Sequence, residues 1–555
     1  MMPGSIKYNR VFIIIALLFL LLRIGGIDVP YHQDEVKWVR NATTEVAARS
    51  GLGHPPIAAL IYTYTAKAFG QDFFRLTPLF FGFLTLLVLY LFVRETISQR
   101  AALWSSFLYT ISFYSVWGSL TVDTDGSILP FFFISSLWIY RKLISSDSLN
   151  KKIRFSTLLL VFLGLGFLTK LSFILVIIAI VFDYFFLQYH SLKKIRLRGI
   201  FLISSLFIIA LATLYLVITF ILPDFSFSRT FSHATDFINF SGRNFFQVIF
   251  QLTKAIIYAS PLLFLPLFMI NKEKLRKHAV LFIYLLLALI FYVVIFDFSS
   301  AALDKYLALI AVPLSIIGGS VIADHAGDTL GRTKYWLSGL AVGVAISAIQ
   351  FISHAVPPLY PKDEWLGRVL SLKWDFLTPF MGGSGPVGFY MSWYFISLMW
   401  LCGIILVFLF HINIKHRSGL ILIMLITGSI YNLFFVEEYQ FGKINGNVEK
   451  LIASSVAEIK NNENIKSVIT YNDIGGYELT NIGKYQRRLY AIPKNESGHR
   501  EILESFKGHY LVIDMPRINS SSLYMRYFST CSKEFSDQSQ AISVTIYDCR
   551  TGVLE

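Results

Sequence analysis

Four carboxylates are the residues of this sequence best placed to do chemistry. Asp34 and Glu35 follow the first long apolar run, and Asp123 and Asp125 directly precede another apolar run. A carboxylate can act as a general base on a hydroxyl group, and two acids at i and i+2 can ligate a cation or a sugar. From spacing alone, a solvated pair of loop acids remains an alternative for the first pair, and a helix N-cap with a spare surface charge remains one for the second pair.

The composition predicts that these acids lie beside a membrane. Of the 555 residues, 55% are hydrophobic and 15% are charged, and the mean hydropathy is +0.59, whereas a soluble domain carries about 25% charged residues. Apolar runs of about 20 residues, the length that crosses a bilayer, recur from Val11 to Val436. This excludes a soluble enzyme, a DNA-binding module and a disordered protein. We predict an α-helical polytopic membrane protein.

The loops predict the topology. Lys and Arg residues concentrate in alternate short loops, which face the cytoplasm by the positive-inside rule, so the net charge of +14 implies no nucleic acid. This pattern requires a break near Lys170, a retained first helix rather than a signal peptide, a cytoplasmic N-terminus and an extracytoplasmic C-terminus. The thirteen expected spans are 11–27, 73–93, 101–120, 127–142, 155–169, 171–188, 199–222, 248–270, 278–297, 306–323, 335–353, 389–411 and 418–436.

The composition changes after Val436, so we expect a membrane domain, 1–436, and an extracytoplasmic α/β domain, 437–555. The amphipathic stretch 448–460 predicts a helix. Short β-rich runs predict strands at 467–471, 488–492, 510–514 and 543–548.

The cysteines of the outer domain predict a disulfide. Cys531 and Cys549 both lie there, in oxidising surroundings where a disulfide persists. Two free buried thiols are the alternative. Cys402 falls in a predicted span, where it is expected to serve in packing.

Several motifs occur in a characteristic order. They are Asp34-Glu35, His54-Pro55-Pro56 with the aromatic stretch 57–69, Asp125-Gly126-Ser127-Ile128, the run 164–170, and Lys305-Tyr306-Leu307 with Pro313. This order resembles the protein O-mannosyltransferase-like glycosyltransferases, family 39 of the GT-C fold, which include the aminoarabinose transferases that modify lipid A. The resemblance extends to about residue 325, and it implies a GT-C membrane domain with an outer C-terminal domain.

The resemblance also implies roles for the matching residues. Asp34 is expected to act as the general base on the acceptor hydroxyl or to orient that hydroxyl, with Glu35 supporting it, and Asp125 is expected to act at the same site. Lys305 and Tyr306 fall where the family often has Arg-Tyr near the donor phosphate. Further candidates are His54 and Lys170 for the donor, and Asp123 with Asp125 for a possible divalent cation. His54 departs from the aminoarabinose transferases, in which a Lys commonly precedes the prolines.

The implied reaction moves a sugar from a polyprenyl-phosphate-linked donor to a hydroxyl of a lipid, glycan or protein, with inversion, at the outer face of the plasma (inner) membrane. One alternative is an oligosaccharyltransferase-like enzyme, whose cation-binding Asp-x-Asp is matched by 123–125. Oligosaccharyltransferases also carry a C-terminal Trp-Trp-Asp-Tyr-Gly signature. The nearest segment of this sequence is 471–475, which contains no tryptophan. A transporter of lipids or solutes is the other alternative, but it would place charges within broken helices at mid-membrane.

Overall fold

The structure is a computed structural model that describes residues 3–43, 55–188, 226–236, 243–297, 304–325, 333–360, 363–381, 387–491 and 496–554, with five single positions between 212 and 238. Within these ranges, six helices are long and apolar enough to cross a membrane: Gln71–Thr96, Leu149–Thr169, Phe245–Met269, Asp304–His325, Trp393–Ile412 and Ile414–Gln440. The predicted class of multi-pass membrane protein is confirmed. The count of thirteen spans stays a prediction, and span 199–222 lies almost wholly outside the described residues.

The described helices before the C-terminal domain are, in chain order, α1 (Pro3–Ile24), α2 (Asp34–Thr43), α3 (Pro56–Phe69), α4 (Leu76–Thr96), α5 (Gln99–Ile111), α6 (Phe113–Gly118), α7 (Ile128–Ile144), α8 (Leu149–Thr169), α9 (Ile174–Phe182), α10 (Phe227–Thr235), α11 (Phe245–Phe264), α12 (Lys272–Lys277), α13 (Ala279–Ile290), α14 (Ala311–His325), α15 (Thr333–Ser347), α16 (Asp363–Leu370), α17 (Trp393–Ile412) and α18 (Arg417–Gln440). A two-stranded antiparallel sheet, β1 (Leu377–Phe380) with β2 (Phe389–Ser392), precedes α17.

Three breaks in the helices follow from the local sequence. Helix α8 ends at Thr169 because Lys170 is extended (φ −158°, ψ 135°), which confirms the predicted break. The predicted span 101–120 was wrong as one helix, since Ser112 (φ −59°, ψ 128°) separates α5 from α6. Helix α11 is kinked at Ser260 (φ 71°, ψ 154°), the residue before Pro261, because proline disfavours helical geometry in the residue that precedes it.

Small residues let the membrane helices approach closely. A Cβ added to Gly319 of α14 would lie 2.2 Å from Ser105 Oγ of α5. Such contacts are typical of helix packing in lipid, where burial of apolar surface gives no drive for association. Helix α14 is accordingly almost entirely enclosed by its neighbours. This positions the segment just before it, which carries Lys305.

The C-terminal part folds as a five-stranded mixed sheet, which confirms the predicted α/β domain. The strand order is β4-β3-β5-β7-β6, with β4-β3-β5 parallel and β5-β7-β6 antiparallel. Its elements are α19 (Val448–Asn461), β3 (Val468–Tyr471), α20 (Gly476–Asn481), β4 (Tyr485–Leu489), α21 (Glu496–Ser505), β5 (His509–Ile513), α22 (Leu523–Phe528), β6 (Ser532–Ser539) and β7 (Ile542–Asp548).

Two features of this sheet bear on the predictions. The edge strand β6 was not predicted, because its sequence is mostly polar and exposed along its length, and polar residues are typical of a protected sheet edge.

The predicted disulfide is present: Cys531 and Cys549 are bonded, with their Cα atoms 4.6 Å apart. It joins the start of β6 to the end of β7.

The chain divides into two compact units, which we describe separately. The first comprises 1–27, 37–336 and 403–429, and the second comprises 28–36, 337–402 and 430–555. The second unit therefore includes more than the sheet: it also contains part of the first loop and the segment 337–402, which covers most of the predicted span 335–353 and the first part of the span 389–411. The boundary at residue 436 stays a prediction.

Candidate active site

Asp123 and Lys305 form a buried ion pair in the first unit. Lys305 Nζ donates to Asp123 Oδ2 at 3.0 Å, and the two side chains are 10% and 8% exposed. The other carboxylate oxygen of Asp123 accepts the backbone N–H of Thr124 at 2.6 Å. Both oxygens therefore have fixed partners, which orients the carboxylate towards the lysine.

Asp125 and Lys170 form a second buried pair beside the first. Lys170 Nζ donates to Asp125 Oδ2, and both side chains are nearly enclosed. Burial raises the pKa of Asp125, while the Lys170 ammonium group opposes that rise and neighbouring Asp123 adds to it. The break after α8 places Lys170 here, since its extended backbone turns the side chain out of the helical path.

The ring of Tyr306 lies beside both lysines. Lys170 Nζ is 4.1 Å from the ring centroid, and Lys305 Nζ is 5.2 Å from it. Cations are attracted to the face of an aromatic ring, so Tyr306 helps to hold two positive charges near one another. The structure thus brings together the predicted residues Asp123, Asp125, Lys170, Lys305 and Tyr306.

The loop that carries the two acids is fixed by a close approach of two glycines. A Cβ on Gly126 would lie 2.2 Å from Gly118 Cα, and a Cβ on Gly118 would lie 2.6 Å from Gly126 Cα. No side chain fits at either position without moving the backbone. The loop therefore turns tightly from the end of α6 into α7, with Asp123 and Asp125 at its tip.

Two residues that the sequence analysis missed hold this loop. The Tyr62 hydroxyl donates to the Asp123 carbonyl at 2.9 Å, and Arg75, which is fully buried, donates to the Leu120 carbonyl at 2.5 Å. The sequence carried a signal for Arg75, because a charged residue inside an apolar span is a functional candidate by default. Tyr62 gave no such signal, because tyrosine is common in the apolar helices and its presence there does not single out one residue.

A third ion pair lies next to Lys305 in the chain. Lys254 Nζ is 3.3 Å from Asp304 Oδ2, and Asp304 is fully buried. Lys254 falls within the predicted span 248–270, so it carried the same signal as Arg75. The pair anchors the backbone from which Lys305 extends.

Asp34 and Glu35 belong to the second unit and occupy the first turn of α2. The Glu35 side chain is fully buried, and its carboxylate accepts the backbone N–H of His32 at 3.2 Å. That bond closes the helix start in the manner of a capping box. Asp34 is half-buried, whereas Glu35 is fully enclosed. Burial lowers the pKa of adjacent His32 to about 4.

The remaining candidates have less support. His54 lies outside the described residues. Asp123 and Asp125 fit a divalent cation poorly, because each carboxylate is already paired with an ammonium group and a cation would have to displace both lysines. Asp473, in the segment that most nearly matches the oligosaccharyltransferase signature, lies just after β3, where its Oδ1 accepts the Tyr485 hydroxyl at 2.6 Å.

Comparisons with known proteins agree with this architecture. Residues 53–217 match the sequence model of the family described as dolichyl-phosphate-mannose-protein mannosyltransferase. No match was found among curated protein sequences.

Among solved structures, the fold is similar to ArnT from Cupriavidus metallidurans. The apo form superposes with a TM-score of 0.53 at 12% identity, covering 99% of each chain. The form bound to undecaprenyl phosphate gives 0.55 at 13% identity, covering 97% of this chain and 98% of that one. An oligosaccharyltransferase, AglB from Archaeoglobus fulgidus, matches with a TM-score of 0.47 at 12% identity, over 92% of this chain and 70% of that one.

The fold and the family match define the class of protein. The chain has the GT-C fold of membrane glycosyltransferases. It resembles the protein O-mannosyltransferase-like family, as the order of its motifs predicted.

Proposed function

We propose that this protein is a membrane glycosyltransferase that moves a sugar from a polyprenyl-phosphate-linked donor to a hydroxyl group of a lipid, glycan or protein acceptor. The observation that carries the proposal is the pair of buried lysine–aspartate contacts beside Tyr306. Buried charges are costly unless they are paired, and pairing two of them in one place is typical of a site that binds a charged group. The similarity to ArnT, one of whose structures contains undecaprenyl phosphate, supports a lipid phosphate as that group.

The two lysines suit the leaving group of the proposed reaction. As the bond between the anomeric carbon and the phosphate oxygen breaks, negative charge grows on the phosphate. Lys170 and Lys305 can stabilise that charge, and because Asp125 and Asp123 already hold them in place, little reorganisation is needed at the moment of reaction. The aspartates are therefore positioning residues in this proposal.

Asp34 is the proposed general base. The acceptor oxygen attacks the anomeric carbon, its proton passes to the Asp34 carboxylate, and polyprenyl phosphate leaves; direct displacement inverts the configuration. Support for Asp34 comes from comparison with Glu35, which is fully buried and whose carboxylate accepts the His32 backbone N–H, so that it is the less suited of the two to take a proton from an acceptor.

We further propose that the N-terminus faces the cytoplasm and that the loop 119–127 and the sheet domain lie outside, in the plasma (inner) membrane. Charge asymmetry between loops supports this orientation. Labelling of single introduced cysteines should reach position 28, which is exposed in the first outer loop, and the sheet domain from outside, and positions 272–277 from inside. Outside labelling of 272–277 would contradict it.

The function is tested by comparing the lipids and glycoconjugates of cells with and without the protein. One glycoconjugate should lose a sugar in its absence, and a polyprenyl-phosphate-linked sugar should accumulate. Wild-type protein and the control D28N, which changes an exposed acid in the same loop, should restore the sugar, whereas D34N should not. Unchanged glycoconjugates and lipids would overturn the proposal.

A further inference from the structure

Three potential metal ligands converge at one end of the C-terminal sheet. His509 begins β5 and is the register partner of Asp548, which ends β7, so their side chains share one face of the sheet. Glu534 is the extra residue of a bulge in β6, between Lys533 and Phe535. A bulge re-aims a side chain, and here it turns Glu534 towards His509. The ligand atoms of the three residues all lie within 4.8 Å of one another.

The distances suit a small divalent cation. His509 Nε2 is 2.8 Å from Glu534 Oε2 and 3.9 Å from Asp548 Oδ1. Ligands at about 2.0–2.1 Å from a tetrahedral zinc ion lie roughly 3.3 Å from one another. The separations of the His509 nitrogen from the two carboxylates lie on either side of that value, so small side-chain movements would let His509 share one cation with each carboxylate.

The environment of the His509 side chain also indicates that it binds a ligand. Its side chain is 2% exposed, yet Nε2 makes no hydrogen bond within the described residues. Glu534 Oε2 is close enough for one but lies away from the in-plane direction along which an imidazole nitrogen donates. That direction is also the one along which the nitrogen binds a metal. An imidazole buried beside two carboxylates without a directed hydrogen bond is therefore suited to coordination.

Neighbouring side chains orient the Glu534 carboxylate and compete with a metal ion for the Asp548 carboxylate. Asn462 Nδ2 donates to Glu534 Oε1 at 2.6 Å, which leaves Oε2 facing His509; such outer contacts orient metal ligands. Arg550, which is half exposed, donates to both oxygens of Asp548 at 2.6–3.1 Å. A cation would have to displace the Arg550 side chain, so this arginine should lower the affinity of the site.

We propose that His509, Glu534 and Asp548 form a zinc site with three protein ligands and a water molecule in the fourth position. One imidazole nitrogen and two carboxylates are a donor set that zinc accepts. The ion would join β5, β6 and β7 at the end where Cys531–Cys549 already joins two of them, and would stabilise that end of the sheet. The site is independent of the proposed transfer reaction.

The test uses the full-length protein in detergent, stripped of metal and titrated with Zn²⁺ against a chromophoric chelator. Wild type should bind one zinc ion, and E534Q and D548N should weaken that binding at least tenfold. R550A should strengthen it by removing the competing guanidinium. H499A is the matched control, since it removes a buried histidine of the same domain that instead pairs with Tyr524, and it should bind zinc as wild type does.

A second readout covers the case in which a variant is poorly folded. A Zn²⁺ concentration that saturates wild type but lies below the dissociation constant of E534Q should raise the melting temperature of wild type and H499A, because a ligand that binds only the folded state stabilises it, and should raise that of E534Q much less. If wild type binds no zinc at one equivalent, or if E534Q binds it as well as H499A does, the three side chains form only an ion-pair cluster and the proposal is wrong.

Discussion

Lys305 and Asp123 form an ion pair at 3.0 Å although 182 residues separate them in the sequence. The pair joins the loop that precedes α7 to the segment that precedes α14. The family resemblance assigned both residues to one site, but neither segment's sequence specifies this particular contact. The proposed function depends on it, because it places a cation beside the acidic loop.

Removal of the Lys305 charge should destabilise the protein, because Asp123 is left buried without its ammonium partner, and should abolish most transfer by the protein that remains folded. We expect K305M to reduce the rate about 10²- to 10³-fold, as loss of one charge-stabilising group does in other enzymes, and K305R to retain part of the activity because the cation remains. The measurement is sugar transfer by purified protein. K274M is the matched control, since Lys274 is also partly buried and paired, with Asp324 and Ser320. Equal activity of K305M and K274M would contradict a role in catalysis.

The Asp125–Lys170 pair should show strong coupling in a double-mutant cycle. D125N leaves the Lys170 ammonium buried without its partner and should cost about 3–5 kcal/mol of stability. The double variant D125N/K170M should recover much of that stability, because no buried charge is left without a partner. It should recover none of the transfer activity, because the Lys170 ammonium group has been removed. Thermal unfolding and transfer rates, measured on the same preparations, test the expected recovery of stability and the expected loss of activity. Additive losses of stability would show that the pair is not coupled.

Much of this arrangement follows from the sequence, and the limits have physical causes. The break at Lys170 was predictable because loop charges alternate across a membrane. The disulfide was predictable because two cysteines share an outer domain. The pairing of Lys170 with Asp125 was not, since it depends on how α8 packs against α7. Strand β6 was missed because an exposed edge strand needs no apolar alternation, and the zinc-ligand cluster was missed because it arises from a bulge in that strand.

The close approach of Gly118 and Gly126 predicts that G126A will disturb the acidic loop. The added methyl group would meet Gly118 Cα at 2.2 Å, so the backbone must shift and carry Asp125 with it. We expect lower thermal stability and a large loss of transfer. G367A is the control, because a Cβ there meets nothing within 4 Å and alanine favours its helix, α16. Wild-type behaviour of G126A would show that the loop tolerates displacement.

His32 should make the protein less stable in acid. Its pKa is lowered by burial to about 4, with Asp473 opposing the shift and Arg488 adding to it, whereas the ordinary value is 6.5. Between these values the unfolded state binds the proton and the folded state does not, so stability falls as pH drops from about 6.5 towards 4. Unfolding midpoints of wild type should therefore decrease more steeply over this range than those of H32Q. Parallel curves for the two proteins would rule His32 out as the cause.

The measurement that tests the central claim most directly uses lipids extracted from cells that lack the protein, in which the donor should have accumulated. These lipids are incubated with purified wild type, D34N, E35Q or the control D28N and with acceptor-containing membranes from the same cells, and released polyprenyl phosphate is measured by mass spectrometry. Wild type and D28N should release it, and D34N should be about two to four orders of magnitude slower because it has lost its general base, with an unchanged melting temperature. E35Q should be affected less. If D34N and E35Q both release polyprenyl phosphate at the wild-type rate, or if wild type releases none, the account is contradicted.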